Sequence, residues 1–223
     1  MKDFLDKASK SYYEGTPIIS DAEFDSLADR FGYNKVGYTI TDGIPHLFKM
    51  YSLQKVFSEA DLPSDIDKYV CTPKLDGAAV SILYVNGILA LGLTRGDGNI
   101  GRDVTKKLEA LAPQTIPLRE VIQVTGDVVA PKTIPNARNY ASGALNLKSM
   151  DEFEQRDLTF VAYDINHTVY ERGRLYEEQT LSILRDFGFS EVSTFDISNY
   201  PTDGSVYRLN NCDKFDAMGF TSH

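Results

Sequence analysis

The strongest constraint on the fold is a pair of apolar segments, 80–85 and 88–93, that are separated by Asn86-Gly87. An Asn-Gly pair readily adopts the positive φ angles of a two-residue hairpin turn, and alternating apolar residues are typical of a strand with one buried face. The sequence therefore predicts a β-hairpin over 80–93. This hairpin commits the middle of the chain to an antiparallel sheet.

Two cationic residues lie at the open end of this hairpin. Lys74 begins the tetrapeptide KLDG shortly before the first strand, and Arg95 begins the tetrapeptide RGDG directly after the second. Because a hairpin brings its two ends together, both side chains are expected at one rim of the sheet. Glycines let the backbone approach a ligand closely. This combination suits a ligand that carries a phosphate.

The composition indicates one main domain in a reducing compartment. The chain has 223 residues, 42% of them hydrophobic, which suffices for one core with a small appendage. No apolar run approaches the length of a membrane span, and residues 1–10 mix charges of both signs where a signal peptide needs an apolar stretch. Cys71 and Cys212 are too few for a disulfide framework or a four-cysteine zinc site. We expect a cytoplasmic protein with Cys71 buried in an apolar strand.

The net charge opposes direct binding to nucleic acid. The chain carries 23 Lys and Arg residues against 32 Asp and Glu residues, a formal charge of −9. Proteins that bind duplex DNA neutralise its phosphates with a basic surface. This chain alone is therefore expected to bind duplex DNA poorly.

The order of predicted elements divides the chain near residue 45. Before this point the sequence is helical, and Ser20 with Glu23 forms a capping box that opens a helix over 21–31. From His46 onward the pattern is rich in strands. Helical segments are predicted within this second part over 58–68, 103–111 and 176–187.

Eight blocks of sequence stand in a recognisable order. They are SYYEGTPIISDAEFD, HLFKMYSLQKVFSEADL, KLDG, TRGDG with GRDVT, TGDVVAPK, NARNYASGALN, LTFVAYDI and DGSVYRLN. In these blocks the chain resembles the NAD-dependent, bacterial-type DNA ligases over nearly its whole length. The resemblance implies an α+β fold: a small helical cap over 1–45, then a nucleotidyltransferase domain of antiparallel sheets with flanking helices over 46–223.

The resemblance also implies adenylyl transfer to a lysine. Lys74 would attack the α-phosphorus of NAD, nicotinamide mononucleotide (NMN) would leave, and AMP would remain as a phosphoramidate. Asp76 is expected to orient Lys74 or a hydrated metal ion. Arg95, Arg138 and Arg208 would help to deprotonate the lysine and stabilise the phosphate oxygens. Mg²⁺ is the expected cofactor, and no dense carboxylate cluster identifies its ligands.

Other matching positions would hold the nucleotide. Asp127 would accept hydrogen bonds from the ribose and Tyr163 would stack on adenine, although an aromatic residue in a buried strand is the alternative interpretation of Tyr163. The remaining adenine-side positions are Ser52, Leu53, Thr72 and Leu75. His46 matches a family position too, but a lone histidine is more often structural.

The sequence departs from the family at several of these positions. Thr72 replaces an acidic residue, Asp127 replaces a longer glutamate, and Arg208 replaces a lysine. A rigid guanidinium fork in place of a mobile ammonium keeps the positive charge, so the resemblance implies that Arg208 still contacts phosphate.

The helical cap would bind the NMN half of NAD. The matching residues are Tyr12, Tyr13, Asp21, Phe24 and Asp25, with Tyr13 where the family usually has histidine. Carboxylates accept hydrogen bonds from ribose hydroxyls and favour a cationic pyridinium, and an aromatic face can cover that ring.

The family continues beyond the last block to a strand with a second essential lysine and to DNA-binding domains. The printed sequence stops at His223, which predicts either a fragment or one subunit of a split ligase whose partner supplies these parts and holds the nicked DNA. Two further hypotheses remain open: an ATP-dependent lysine nucleotidyltransferase, against which the cap argues, and a non-catalytic NAD-binding subunit.

Overall fold

The computed structural model describes residues 2–13, 18–19, 24, 27–28, 30, 33, 43–56, 58, 62, 64–167 and 177–217. The strands in these ranges are β1 (Ile44–Pro45), β2 (Tyr69–Leu75), β3 (Ala78–Val85), β4 (Ile88–Thr94), β5 (Ile100–Gly101), β6 (Val121–Val129), β7 (Thr159–His167) and β8 (Thr202–Leu209). The helices are α1 (Lys2–Tyr13), α2 (Thr105–Leu111), α3 (Ala137–Leu145), α4 (Met150–Glu154), α5 (Glu177–Asp186) and α6 (Cys212–Ala217), with short 3-10 turns at Ile66–Lys68 and Ile197–Asn199.

The predicted hairpin is confirmed. Asn86 and Gly87 both have positive φ angles, 53° and 80°, and the strands on either side pair antiparallel as β3 and β4. Together with β6 and β7 they form a four-stranded antiparallel sheet in the order β4-β3-β6-β7. Antiparallel sheets with flanking helices also confirm the predicted α+β fold.

The core lies on this sheet. Val80, Ile82 and Tyr84 alternate along β3 and are fully buried, as are Val124 and Val128 on the neighbouring β6. Burying one such side chain contributes about 2 kcal/mol. Helix α2 contacts β4, α3 contacts β6 and α5 contacts β7. The central strands are thereby fixed as a rigid base for the residues at their rim.

A second, two-stranded sheet consists of β2 and β8, which pair antiparallel. Its register shifts once: Pro73 lies opposite Ser205, whereas Leu75 lies opposite Thr202. Two residue steps on β2 therefore face three on β8, so that β8 bulges. Such a bulge bends its strand locally and redirects the side chains there.

The helix predictions succeed where the apolar spacing is regular. The segments predicted over 103–111 and 176–187 are found as α2 and α5. Within the described part of 58–68 the structure has only the short turn Ile66–Lys68. Helix α3 was not predicted, because serine, asparagine and glycine give it a weak helical propensity.

The expectation that Cys71 is buried is wrong. Its side chain is exposed, because it points away from the core on the narrow β2–β8 sheet. An apolar strand in a two-stranded sheet has one face without cover, which the sequence pattern alone does not indicate.

The described part of the N-terminal region packs on the main domain. Helix α1 buries Leu5 and Ala8 and contacts α3. The Tyr33 hydroxyl donates a hydrogen bond of 2.6 Å to Asp6 Oδ1. The capping-box residues Ser20 and Glu23 lie outside the described residues. None of the described helices has the length and apolar character needed to cross a membrane.

Candidate active site

Lys74 lies in the part of β2 that faces the β8 bulge. Its Nζ donates hydrogen bonds of 2.7 Å and 2.6 Å to the two carboxylate oxygens of Asp203. The side chains of Lys74 and Asp203 are 47% and 42% exposed. The lysine is thus held in one direction by a two-oxygen contact and remains open to a ligand from solvent.

The turn after Lys74 is held tightly against β6. A Cβ on Gly77 would lie 2.8 Å from the carbonyl oxygen of Val128, so only glycine permits this approach. Asp76 N donates to the carbonyl oxygen of Pro201, and the Asp76 carboxylate lies 3.5 Å from Arg138 Nη1. Asp76 therefore places Arg138 beside the lysine turn.

The RGDG turn places Arg95 at the same rim. Gly96 and Gly98 have φ angles of 59° and 89°, which a residue with a side chain rarely adopts. Arg95 Nη2 donates to the Ser52 hydroxyl. Among the described residues, the buried Nε of Arg95 has no hydrogen-bond acceptor. A buried donor without a partner is costly unless a ligand supplies the acceptor.

His46 supports this turn from beneath. It is 8% exposed, with Nε2 3.0 Å from the Arg95 carbonyl oxygen and Nδ1 2.9 Å from the Ser81 hydroxyl. Because a carbonyl can only accept, Nε2 carries the proton and Nδ1 accepts from Ser81. Burial lowers the pKa of His46, which favours this neutral form. The contacts agree with a structural histidine.

Asp127 lies on the central strand β6 between Ala79 of β3 and Val161 of β7. Burial raises the pKa of the Asp127 carboxyl to about 7, while the positive charges of Lys74, Arg138 and Arg95 act in the opposite direction. The carboxyl is thus close enough to all three cations to interact with their charges.

The raised pKa of Asp127 predicts a pH-dependent cost of folding. Between its ordinary pKa of 3.8 and about 7, the folded state binds more protons than the unfolded state, so this group lowers the stability as pH rises. Asp127→Asn removes the ionisation and is expected to raise the free energy of unfolding by about 2 kcal/mol at pH 8, after allowance for partial exposure, and by much less at pH 4.

Urea unfolding at the two pH values measures this effect. Asp157→Asn is the matched control, since Asp157 is exposed. A gain for Asp127→Asn that is the same at pH 4 and pH 8 would contradict the raised pKa.

Tyr163 lies at a second register shift, between β6 and β7. Gly126 pairs with Ala162, whereas Thr125 pairs with Asp164, so Tyr163 has no residue opposite it on β6. A Cβ on Gly126 would lie 2.4 Å from the carbonyl oxygen of Val161. Burial, followed by the nearby Asp127 charge, raises the pKa of Tyr163, so its ring is a neutral surface beside Asp127.

Arg208 is placed differently from the other cationic residues. Its side chain is 11% exposed and lies 3.3 Å from both Asp164 Oδ2 and Glu177 Oε1. The resemblance implied a phosphate contact for this residue. The structure instead places its guanidinium group between two carboxylates of the protein.

The remaining predicted pocket residues differ in how exposed they are to solvent. Thr72 and Leu75 on β2 are 7% and 5% exposed, whereas Leu53 is 38% exposed and Ser52 contacts Arg95. In the N-terminal region, the Phe24 ring packs edge-on against Tyr33 with 5.9 Å between centroids. The side chains of Tyr12 and Tyr13, and the whole of Asp21 and Asp25, lie outside the described residues.

The structure offers no ready-made metal site in the ranges that it describes, since no group of three or more His, Cys, Asp or Glu side chains there could hold an ion. Mg²⁺ usually keeps several water ligands and takes only one or two carboxylates. Such a mode of binding does not require a protein cluster.

Asp203 is the site residue that the sequence interpretation missed. It lies 129 positions after Lys74 in the chain, and only the β2–β8 pairing reveals that the two meet. The signal was present, because Asp203 is the first residue of the block DGSVYRLN.

Antiparallel sheets with flanking helices, and a lysine beside a glycine-rich arginine turn, agree with the adenylation domain of the nucleotidyltransferase class that the sequence predicts. Residues 40–134 match the family model of the NAD-dependent DNA ligase adenylation domain. This match, with the relatives below, identifies an NAD-dependent DNA ligase adenylation domain in the chain.

Individual relatives agree with this assignment. A DNA ligase of Hydrogenobaculum sp. (strain Y04AAS1) is 29% identical over 95% of this chain and 41% of its own length. A DNA ligase of Campylobacter fetus subsp. fetus (strain 82-40) is 27% identical over 98% and 44%, and one of Thermobifida fusca (strain YX) is 31% identical over 72% and 28%. The chain spans less than half the length of these relatives.

Among solved structures, a Naegleria gruberi RNA ligase mutant aligns with 83% of this chain and 62% of its own, at 14% identity and a TM-score of 0.45.

Proposed function

We propose that this chain carries out the first step of NAD-dependent DNA ligation, the transfer of AMP from NAD to Lys74. The observation that carries the proposal is the position of Lys74 Nζ, held at 2.6 Å and 2.7 Å by Asp203 and open to solvent. Lys74 attacks the α-phosphorus, and the bond to the bridging oxygen of the pyrophosphate breaks. NMN leaves with that oxygen, and AMP stays on nitrogen.

The lysine must lose a proton before or during this attack, because an ammonium has no lone pair. The carboxylate of Asp203 already accepts hydrogen bonds from Nζ and is the group in place to take that proton. It also aims the nitrogen while the nucleotide binds, which reduces the entropic cost of reaching the attack geometry.

Arg95 and Arg138 supply positive charge for the phosphate oxygens. The buried Arg95 Nε lacks an acceptor among the described residues, and a phosphate oxygen would provide one. Donors of this kind stabilise the charge that shifts toward the leaving group. Asp127 would hold the ribose and Tyr163 the adenine, with Ser52, Leu53, Thr72 and Leu75 lining the base. When bound, Mg²⁺ would neutralise further phosphate charge and would be held largely by water and phosphate oxygens.

Mass spectrometry after incubation with NAD and Mg²⁺ tests the proposal. We expect a covalent AMP adduct from NAD and none from ATP. An adduct that forms only from ATP would identify an ATP-dependent nucleotidyltransferase. No adduct from either nucleotide, with every subunit present, would identify a non-catalytic NAD-binding chain.

In our proposal, residues 1–45 form a cap that binds the NMN half of NAD and 46–223 the adenylation domain. Alanine variants of Tyr12, Asp21 or Asp25 are then expected to lose adduct formation from NAD by at least about tenfold, because only the first step uses NMN. The same variants, in the complete ligase, should still seal a nick that already bears 5′-AMP. A cap variant with normal adduct formation from NAD would refute the cap role.

The DNA is held, in our proposal, by polypeptide outside these residues, either further domains or a second subunit, in the cytoplasm. The charge of −9 disfavours a DNA-binding surface here. In the described residues β8 pairs only with β2, and an open strand edge can accept another strand. This chain alone is expected not to seal nicked duplex with NAD and Mg²⁺. Efficient sealing without a second polypeptide would show that the proposal of an outside DNA grip is wrong.

A further inference from the structure

The guanidinium group of Arg208 is enclosed by side chains from three other elements. Nη2 lies 3.3 Å from Asp164 Oδ2 on β7, and Nη1 lies 3.3 Å from Glu177 Oε1 at the start of α5. The guanidinium carbon lies 5.0 Å from the ring centroid of Phe215 on α6. The Arg208 and Glu177 side chains are only 11% and 3% exposed.

This environment is unsuited to binding a phosphate. Two carboxylates more than offset the charge of one guanidinium, and a phosphate would have to displace one of them. Displacement would leave a carboxylate buried without its cation, which is strongly unfavourable. Arg95 differs, because its Nη2 donates to the neutral hydroxyl of Ser52, and a phosphate could replace that contact without displacing a carboxylate from it.

Arg208 also contacts the backbone of the proposed adenine platform. Its Nη1 lies 3.4 Å from the carbonyl oxygen of Tyr163. Tyr163 lies at the register shift between β6 and β7, where ladder pairing is interrupted. A backbone with interrupted pairing needs other contacts to fix its direction, and this hydrogen bond is one.

The contact joins the two sheets that make up the site. Strand β8, with Arg208, belongs to the sheet of Lys74, whereas β7 belongs to the four-stranded sheet of Asp127 and Tyr163. At the start of β8, the hydrogen bond from Asp76 N to Pro201 O continues the pairing with β2 inside the smaller sheet. Arg208, near the other end of β8, contacts the four-stranded sheet.

We propose that Arg208 is a positioning residue that fixes Tyr163, and with it the adenine base, relative to Lys74, and that it does not bind the nucleotide phosphate. The inference rests on the proposed function, because it takes Tyr163 as the surface on which adenine stacks. A guanidinium is suited to the role, since its planar fork can reach two carboxylates and a carbonyl at once.

Binding of adenosine and AMP to the full chain tests the inference by calorimetry, because adenosine has the base and no phosphate. We expect Arg208→Gln, Arg208→Lys and Glu177→Gln each to weaken both ligands by the same factor, about tenfold. Arg208→Lys should not restore the affinity for either ligand, because one ammonium group cannot make all the contacts of the planar guanidinium group. Arg156→Gln is the matched control, since that guanidinium lies 4.7 Å over the Tyr140 ring, and it should leave both affinities unchanged.

If a variant binds AMP more weakly than the wild type but binds adenosine equally well, Arg208 is a phosphate ligand and the inference is overturned. Unchanged affinity for both ligands would overturn it as well. If thermal unfolding shows that Arg208→Gln does not fold, Arg208→Lys and Glu177→Gln decide by the same criteria. A wild-type chain that binds neither ligand would overturn the proposed function itself, and this inference with it.

Discussion

Replacing Lys74 with alanine is expected to abolish the covalent AMP adduct completely. The variant removes the attacking nitrogen, and no other lysine in the chain stands in a KLDG context. Lys74 is 47% exposed, so the substitution opens no cavity and should change the free energy of unfolding by less than about 1 kcal/mol. Intact-mass spectrometry after incubation with NAD and Mg²⁺ measures the adduct.

Two further variants separate the nucleophile from its charge. Lys74→Arg keeps a cation opposite Asp203 but has no nucleophilic amine at neutral pH, and it should also give no adduct. Lys106→Ala is the matched control, because Lys106 lies in an exposed pair with Glu109 on α2, and its adduct yield should equal that of the wild type. An adduct that persists in Lys74→Ala would refute the assignment of the nucleophile.

Replacing Asp203 with asparagine is expected to slow adduct formation by about 100-fold, the usual range for losing a positioned proton acceptor. The amide keeps the size of the side chain but neither attracts the ammonium nor takes its proton. Single-turnover kinetics with saturating NAD measure the rate of the chemical step. The stability should change little, since exposed ion pairs contribute about 0 to 1 kcal/mol.

The chain offers a close control for this variant. Asp65 accepts from Lys68 at 3.3 Å in another exposed lysine–aspartate pair, outside the site. Asp65→Asn should therefore lower stability as little as Asp203→Asn without slowing adduct formation. Equal rates in the two variants would show that Asp203 acts only as a surface ion-pair partner.

The hairpin and the two regular helices could be predicted from the sequence because their determinants are local. Asn86-Gly87 selects its own turn, and apolar spacing sets the burial of α2 and α5. Helix α3 escaped prediction because its residues have weak intrinsic propensity and its stability comes from packing against β6. Whether a helix with such weak propensity forms is decided by its tertiary contacts, which a single sequence does not display.

The candidate site, like the fold, could be predicted from the sequence only in part. The block pattern singled out Lys74, Arg95, Arg138 and Asp127, which the structure brings close enough for their charges to interact. The contact between Lys74 and Asp203 could not be predicted from spacing, because it depends on the register of two distant strands. The environment of Arg208 was equally hidden, since its two carboxylates come from β7 and α5.

Because β8 has one extra residue opposite β2, the contact between Lys74 and Asp203 depends on the length of this strand. Removing Gly204, which has φ 134°, would let β2 and β8 pair without interruption and would place residue 203 directly opposite Lys74 in the ladder. Every residue of the site would still be present, yet ladder pairing, and no longer the bulge, would set the direction from which the carboxylate meets Lys74. Insertions and deletions in β8 therefore belong among the changes that can silence an adenylation domain, even where no functional side chain is altered.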